Sequence, residues 1–304
     1  MSTTLTRALV DLLGPDGVRE GDDLQPYLRD STEMQGLVGT PDAVAVPGSV
    51  EQVQSLVAWC YERGVAMVPR GGGTGFAGGA VAVEGGVVLS LERLDRVRRF
   101  DPEFWRMEVE AGVRTGRVQQ LARENGLYFP PDPGAPEQSM IGGNLACNAG
   151  GPHSFKYGVT GAWVTGLEAV IAKGRLIRFG GPLRKDVAGL DVRSLLVGSE
   201  GSLGVIVSAW LRLIPAPAAQ VPVVASYPTL EAGVEALGRV YGYGLVPATL
   251  EYFDEGGVLA TRPAFPGGLQ PGARFLVVAE ADGRQAEAEA LAAELGEALG
   301  PGSL

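Results

Sequence analysis

The chain has 304 residues, 45% hydrophobic and 20% charged, which is enough apolar material for one large domain or two ordinary ones and excludes wholesale disorder. Two distant cysteines, Cys60 and Cys147, and a single histidine, His153, exclude a disulfide scaffold, a clustered zinc site and an HExxH protease. A formal charge of −10 argues against non-specific nucleic-acid binding, and no apolar run approaches the ~18 residues of a membrane span.

The opening MSTTLTRALVDLLGPDG lacks signal-peptide architecture, so a cytoplasmic protein is expected. The first firm element is a helix in SVEQVQSLVAWCYERG. Ser49 caps it with Gln52 three residues on, Val53, Leu56, Val57 and Cys60 share a face, and Gly64 ends it. Cys60 is therefore a core residue. A buried strand over 65–69 runs into RGGGTGFAGGA, and GGVVLSL reads as a second buried strand. Met107, Val109, Ala111 and Val113 alternate with Glu108, Glu110 and Gly112, which predicts a half-exposed strand. The next helix begins near Thr115, uses Val118, Leu121 and Ala122, and stops at Asn125-Gly126. YFPPDPGAPEQS, with four prolines in twelve residues, cannot be regular structure, and the loop is expected to continue through IGGNLACNAGG.

Strand-like GLEAVIA and LIRFG follow, and GSEGSLGVI leads into a strand ending near Ile214. The proline-rich stretch 215–222 reads as a stiff linker and marks a domain boundary. Beyond it the pattern is strand 221–227, helix 229–241, strand 247–253, strand 274–280 and helix 284–299. That is a ferredoxin-like β-α-β-β-α plait without its final strand. The expectation is a chain cut short, or one that relies on another segment.

Glycine is the outlier: 46 of 304 residues, about 15% against a usual ~7%, gathered at 71–79, 142–151 and 198–204. A strand that enters successive glycines exposes consecutive amides, a concavity suited to anions, and Thr74 adds a hydroxyl. Gly73, Gly75 and Gly78 spell GxGxxG, but loop and strand follow rather than a helix, and no lysine is present. Neither a dinucleotide fingerprint nor a Walker A loop fits. In the second block, proline rigidity beside glycine suits a flat ligand, and Asn144 and Asn148 can donate and accept. Cys147 reads as small buried filler, and His153 is the only imidazole that could transfer a proton. In the third block, Glu200 can accept from ribose or adenine groups.

Together, PRGGGTGFAGG, PPDPG, IGGNLACNAGG with KYG, and KDVAGLDVRSLLVGSEGSLGVI make the chain resemble the FAD-binding domain of the vanillyl-alcohol oxidase / p-cresol methylhydroxylase class. Within that class it is similar to the FAD-linked subunit of glycolate oxidase and to D-lactate dehydrogenases. The resemblance runs from about residue 25 to 215 and continues loosely to the end. It implies an α+β architecture: a two-subdomain FAD-binding domain over 1–216, then an incomplete ferredoxin-like cap over 217–304.

It also implies roles. Pro69, Arg70, Gly71, Gly72, Gly73, Thr74 and Gly75, continuing to Gly78 and Gly79, would hold the pyrophosphate. Asp132, Pro133, Gly134 and Ser139, with Gly143, Asn144, Cys147, Asn148, Ala149, Gly150 and Gly151, would run along the pyrophosphate, ribityl chain and isoalloxazine. Tyr157 and Gly158 would close that wall. Glu200, Gly201, Ser202, Leu203, Gly204, Val205 and Ile206 would meet the adenosine end. Relatives with covalent flavin use a histidine in the first glycine loop; Thr74 stands in this loop, so non-covalent FAD and no metal are expected.

The implied reaction moves a hydride from a small 2-hydroxy acid, such as glycolate or D-lactate, to flavin N5 while a base takes the hydroxyl proton. The relatives' histidine motifs lie beyond the end of this chain. That leaves His153 as the catalytic candidate, with Arg262 and Arg274 as candidates for the substrate carboxylate. Two alternatives stay open. One is a non-catalytic flavin-binding or scaffold subunit of an oxidase that passes electrons to an iron–sulfur partner, with an oligomer or peripheral membrane attachment through partner subunits. The other is a different reductase on the same flavin fold.

Overall fold

A computed structural model describes residues 2–304, which form two compact units. The first comprises the chain up to Phe129, Pro133–Ala149 and Val159–Pro215. The second comprises Pro130–Asp132, Gly150–Gly158 and Ala216–Leu304. Two short loop segments therefore group with the C-terminal part of the chain. Among the described residues, no helix is long and apolar enough to cross a membrane.

The first unit opens with α1 (Ser2–Leu13), β1 (Val18–Arg19) and β2 (Ala43–Ala45). In α2 (Val50–Arg63) the Ser49 hydroxyl accepts from the Gln52 amide at 3.3 Å, and Gly64 ends the helix at φ 62°. Both cap signals act as the sequence pattern predicts. β3 (Met67–Arg70) and β4 (Val87–Ser90) complete a sheet of order β1-β2-β4-β3, parallel except for β1. The Val53, Leu56, Val57 and Cys60 face of α2 packs on Leu9, Leu13, Val87 and Leu89. Burial pushes the Cys60 thiol up to about 11, so it is an inert core residue.

β5 (Val97–Asp101) and β6 (Arg106–Glu110) are followed by α3 (Thr115–Glu124), β7 (Leu127–Tyr128) and α4 (Ile141–Cys147). The four-residue helix α5 (Ser154–Tyr157) belongs to the second unit; β8 (Val164–Ile171), β9 (Arg175–Gly180), α6 (Val192–Leu196), β10 (Val205–Arg212) and β11 (Ile214–Pro215) return to the first. The second sheet is antiparallel throughout, in the order β5-β6-β10-β8-β9.

Two expectations are corrected here. Residues 141–147 are helical rather than loop. Glu110, placed on an exposed strand face by its alternation, is fully buried. Arg96 at 2.8 Å and Arg98 at 3.3 Å meet its carboxylate. Burial pushes that carboxyl up, but these partners outweigh it and hold the group ionised.

The second unit contains β12 (Ala219–Tyr227), α7 (Leu230–Gly242), β13 (Thr249–Phe253), α8 (Glu255–Thr261), β14 (Phe275–Gly283) and α9 (Gln285–Leu299). Its sheet has the order β12-β14-β13 and is antiparallel. β14 is central and its residues alternate between faces. Phe275, Val277, Ala279 and Ala281 pack with Ala236, Val240, Leu295 and Ala298 of α7 and α9. Leu276 and Val278 pack with Val258 of α8 and with Ala273. A methyl at Gly233 would lie 2.0 Å from the Phe275 ring, so glycine sets how closely α7 lies on the sheet. The expected β-α-β-β-α order is present, with α8 as an addition that EGGVLAT did not announce.

Candidate cofactor site

In the first unit, three glycine-rich segments far apart in sequence meet main chain to main chain. β3 delivers the chain into Gly71, where a methyl would lie 3.3 Å from the Gly143 Cα. At Gly72 it would lie 2.1 Å from the Gln138 carbonyl oxygen, and at Gly142 it would lie 2.6 Å from the Ala111 Cβ. A methyl at Gly79 would meet the Glu200 carboxylate at 3.0 Å, and one at Gly201 would meet the Pro69 ring at 3.0 Å. No residue with a side chain could replace Gly72 without displacing backbone. The segments 69–79, 138–148 and 198–204 therefore line one place, although sequence separates them by scores of residues.

The donors of this place are amides. Among the described residues, no amide from Gly71 to Ala77 donates a hydrogen bond to another part of the chain. Gly73 turns left-handed at φ 65°, and Glu200 and Gly201 do so in succession at 50° and 80°. The turn at Gly73 aims neighbouring N–H groups into one concavity, whereas the Gly198, Glu200 and Ser202 amides donate to the Leu145, Ala146 and Ser199 carbonyls. Gly75 and Gly134 have no heavy atom within 4 Å of where a methyl would sit, so the chain is open to a ligand there. These features fit an extended anionic group lying along bare backbone.

Several named side chains face elsewhere. The buried Arg70 guanidinium donates to the Ala80, Pro26 and Arg29 carbonyls at 3.1, 3.1 and 2.7 Å, bracing the loop from behind. Burial pulls its pKa down, opposed by Asp30. Asn144 donates to Thr115 at 2.7 Å, and Thr115 shares a 2.8 Å bond with Ser139, a buried chain that pins α4 to the start of α3. Asn148 ends α4 at φ 50° and accepts from the Gly161 amide at 2.8 Å. Ala149 donates to the Asn144 carbonyl and Ser202 to the Ser199 carbonyl. Val205 and Ile206 bury their side chains at the start of β10. Thr74 is half-buried, and Gly78 is left-handed at φ 78°. Pro133 is buried; Leu203 and Glu200 are exposed. Cys147 is exposed rather than buried filler, and partial desolvation of its thiol, then Glu200 and Asp30, raises its pKa, so it stays a thiol.

Asp132, Gly150, Gly151, His153, Tyr157 and Gly158 lie in the second unit. A methyl at Gly151 would lie 2.3 Å from the Asp132 carbonyl oxygen. His153 Nδ1 lies 2.5 Å from Asp132 Oδ2, and its Nε2 lies 3.1 Å from Glu280 Oε1. Burial lowers the imidazole pKa, but hydrogen bonding and charge from Asp132, then Glu280, raise it from 6.5 to about 9. The Lys156 ammonium and the Tyr157 hydroxyl both bond Asp282, whose side chain is 1% exposed. Glu280 and Asp282 were missed by sequence reading. Two acids at i and i+2 on one face of an otherwise apolar strand were the available signal. Of the two arginines considered for a substrate carboxylate, Arg262 donates to the Ala273 carbonyl at 3.0 Å. Arg274 is paired with Glu255 at 2.8 Å on the surface.

Comparison with known proteins agrees with this geometry. Residues 41–180 match the FAD binding domain family, and residues 216–303 match the C-terminal domain of FAD linked oxidases. The chain is 38% identical to the glycolate oxidase subunit GlcD of Bacillus subtilis (strain 168), over 80% of this chain and 52% of that one. It is 46% identical to a D-2-hydroxyglutarate dehydrogenase of Xanthomonas citri pv. viticola, over 64% of this chain and 41% of that one. It is 32% identical to a D-lactate dehydrogenase of Anaerostipes hadrus, over 82% and 52%. An alkyldihydroxyacetonephosphate synthase structure superimposes with a TM-score of 0.83 at 20% identity, covering 99% of this chain and 61% of that one, which establishes the fold. The chain spans about half the length of the curated relatives it matches. With both families matched in order on a backbone cradle of the right chemistry, the chain carries an FAD binding domain followed by the C-terminal domain of FAD linked oxidases.

Proposed function

We propose that this chain binds FAD non-covalently and serves the oxidation of a small 2-hydroxy acid. The observation that carries the reading is the convergence of the three glycine segments on one set of undonated amides. In this reading the amides of residues 71–77 hold the pyrophosphate, with Gly75 leaving room for close approach. The exposed Glu200 meets the adenosine end. Pro133, Gly134, Asn148 and Ala149 run beside the flavin. Arg70, Ser139 and Asn144 act from behind, keeping the cradle's shape through the bonds described above. The first glycine loop offers no histidine or cysteine for attachment, and the Cys147 thiol is held protonated.

FAD, when bound, supplies the acceptor for the electrons taken from substrate. The chain's own task is to orient it and to keep its phosphates desolvated on aligned dipoles. His153 does not serve as the base, because both its ring nitrogens already face carboxylates. We read residues 1–216 as the cofactor domain and 217–304 as a cap built on a ferredoxin-like plait, since the order β12-β14-β13 is that of its first three strands. The substrate class rests on the relatives, whose names carry glycolate, D-lactate and D-2-hydroxyglutarate. A relative that is an oxidase subunit supports partner chains, with an iron–sulfur electron acceptor as our proposal and the cytoplasm as the setting.

The test is anaerobic addition of each of these three acids to the FAD-loaded chain. Bleaching of the visible flavin band by at least one is the expected result. A loaded chain that none of them bleaches would instead hold flavin within a larger oxidase.

A further inference from the structure

Arg70 closes β3 and is 6% exposed, so its guanidinium is a buried cation. Its three hydrogen bonds all go to neutral main-chain oxygens: Nη1 to the Ala80 carbonyl, and Nη2 to those of Pro26 and Arg29. Carbonyls satisfy the donors but leave the charge in place. Among the described residues, no carboxylate is ion-paired with Arg70. The acids that act on it through space, Asp30 and Glu92, are engaged elsewhere. Asp30 accepts from the amide and the hydroxyl of Thr32, and Glu92 accepts from Tyr27 at 2.9 Å and from Ser90 at 3.1 Å. A buried cation without a contact counter-ion is strongly unfavourable, so this one calls for an anion nearby.

Its position says where that anion would sit. A methyl at Gly73 would lie 2.2 Å from Arg70 Nη2 and 2.6 Å from Cζ, so the guanidinium rests directly against the Gly73 turn. That left-handed turn lies within the run of amides, Gly71 to Ala77, that donate to no other part of the chain. Every one of these groups belongs to the first unit. Bare amides alone would suit any hydrogen-bond acceptor. Bare amides backed by an unneutralised cation suit a negatively charged one, because both contributions give the loop the same sign of potential. A side chain at Gly73 would strain the turn and drive the charge away from it at once.

We propose that Arg70 is a positioning and specificity-determining residue: its guanidinium, acting through the Gly73 turn rather than by contact, is the counter-charge that makes the loop select a diphosphate-bearing flavin over a phosphate-free one. This rests on the flavin reading above. Two consequences separate it from a mere brace. Affinity should follow the charge at position 70, whereas stability follows the three carbonyl bonds. The nearby acids should oppose binding, so that removing the charge of Asp30 tightens the site. A brace predicts neither.

Binding of FAD, ADP and riboflavin to the full chain, measured by calorimetry beside the melting temperature, tests it. Arg70→Gln should weaken FAD and ADP about thirtyfold and leave riboflavin unchanged, thirtyfold being the worth of one charge pair somewhat beyond contact at an effective dielectric of roughly 20. Arg70→Lys keeps the charge without the planar fork. Its melting temperature should fall as that of Arg70→Gln does, with FAD affinity held within about threefold of the wild type. Asp30→Asn, which keeps an oxygen for Thr32 and should fold, should tighten FAD and ADP about threefold. Equal losses for riboflavin and FAD in Arg70→Gln, or affinities that follow the melting temperature across the set, overturn the proposal. So does an Asp30→Asn that binds FAD no tighter than the wild type, a result that needs no change at Arg70 itself. FAD uptake without these shifts leaves the flavin reading standing. Arg70-dependent ADP binding in a folded chain that takes up no FAD does the reverse, and a folded chain that binds neither overturns both.

Discussion

In the first unit the candidate site is main chain: amides of a glycine loop, with Gly72 seated against the Gln138 carbonyl and Gly71 against Gly143. In the second unit the polar cluster is side chain: a histidine, a lysine and a tyrosine on Asp132, Glu280 and Asp282. The two respond to different insults. A backbone cradle carries no titratable group of its own, so pH leaves its donors unchanged, but a single added carbon can close it. A charged cluster tolerates small changes of volume and fails when one partner or one proton is lost.

Four experiments separate the backbone cradle from the charged cluster. Gly72→Ala places a methyl 2.1 Å from a carbonyl oxygen, which only a backbone shift can relieve. It should cost about 3 kcal/mol in thermal unfolding and abolish FAD uptake. An unchanged melting temperature would show that the segments are not packed as described. Asp282→Ala removes the shared acceptor of Lys156 and Tyr157 and should cost about 2 kcal/mol by urea unfolding. Asp282→Asn, which leaves Tyr157 an acceptor, should cost less.

The third concerns pH. The His153 pKa is raised on folding from 6.5 to about 9. Its contribution to stability is therefore fully present below 6.5 and is lost as pH rises through about 9. Wild-type urea midpoints should fall across that interval, and those of His153→Gln should stay level. Parallel slopes would mean that His153 is not charged in the folded protein. The smallest effect on stability belongs to Gly75→Ala, whose methyl meets no atom within 4 Å at a φ that alanine accepts. Stability should stay within about 0.5 kcal/mol of the wild type. FAD affinity should nonetheless drop, because the methyl occupies the open face of the loop. Unaltered affinity would place the ligand elsewhere.

The same contrast governs what could be read from sequence. The cradle was legible because its constraint is local: successive glycines after an apolar run limit the backbone whatever surrounds them. Ser49 and Gly64 were legible as helix caps for the same reason. α4 was not, because Gly142 and Gly143 are poor helix formers. A methyl at Gly142 would crowd Ala111, so tertiary packing rather than propensity selects glycine there. Glu110 was misplaced because Arg96 and Arg98, which make its burial tolerable, stand just before and within the preceding strand, β5. The His153–Glu280 contact was hidden most deeply, the two residues being 127 positions apart. Nothing near either residue signals the other except the paired acids of β14.

Whether the three glycine segments make a non-covalent FAD site is decided by FAD uptake by the purified chain. The visible spectrum would be recorded after equilibration with FAD and again on the supernatant after acid precipitation. The wild-type protein should carry a flavin spectrum that passes wholly into the supernatant, and Gly72→Ala should be colourless, as a non-covalent site requires. A wild-type chain that is folded by circular dichroism yet takes up no FAD would contradict it, as would colour that stays in the pellet.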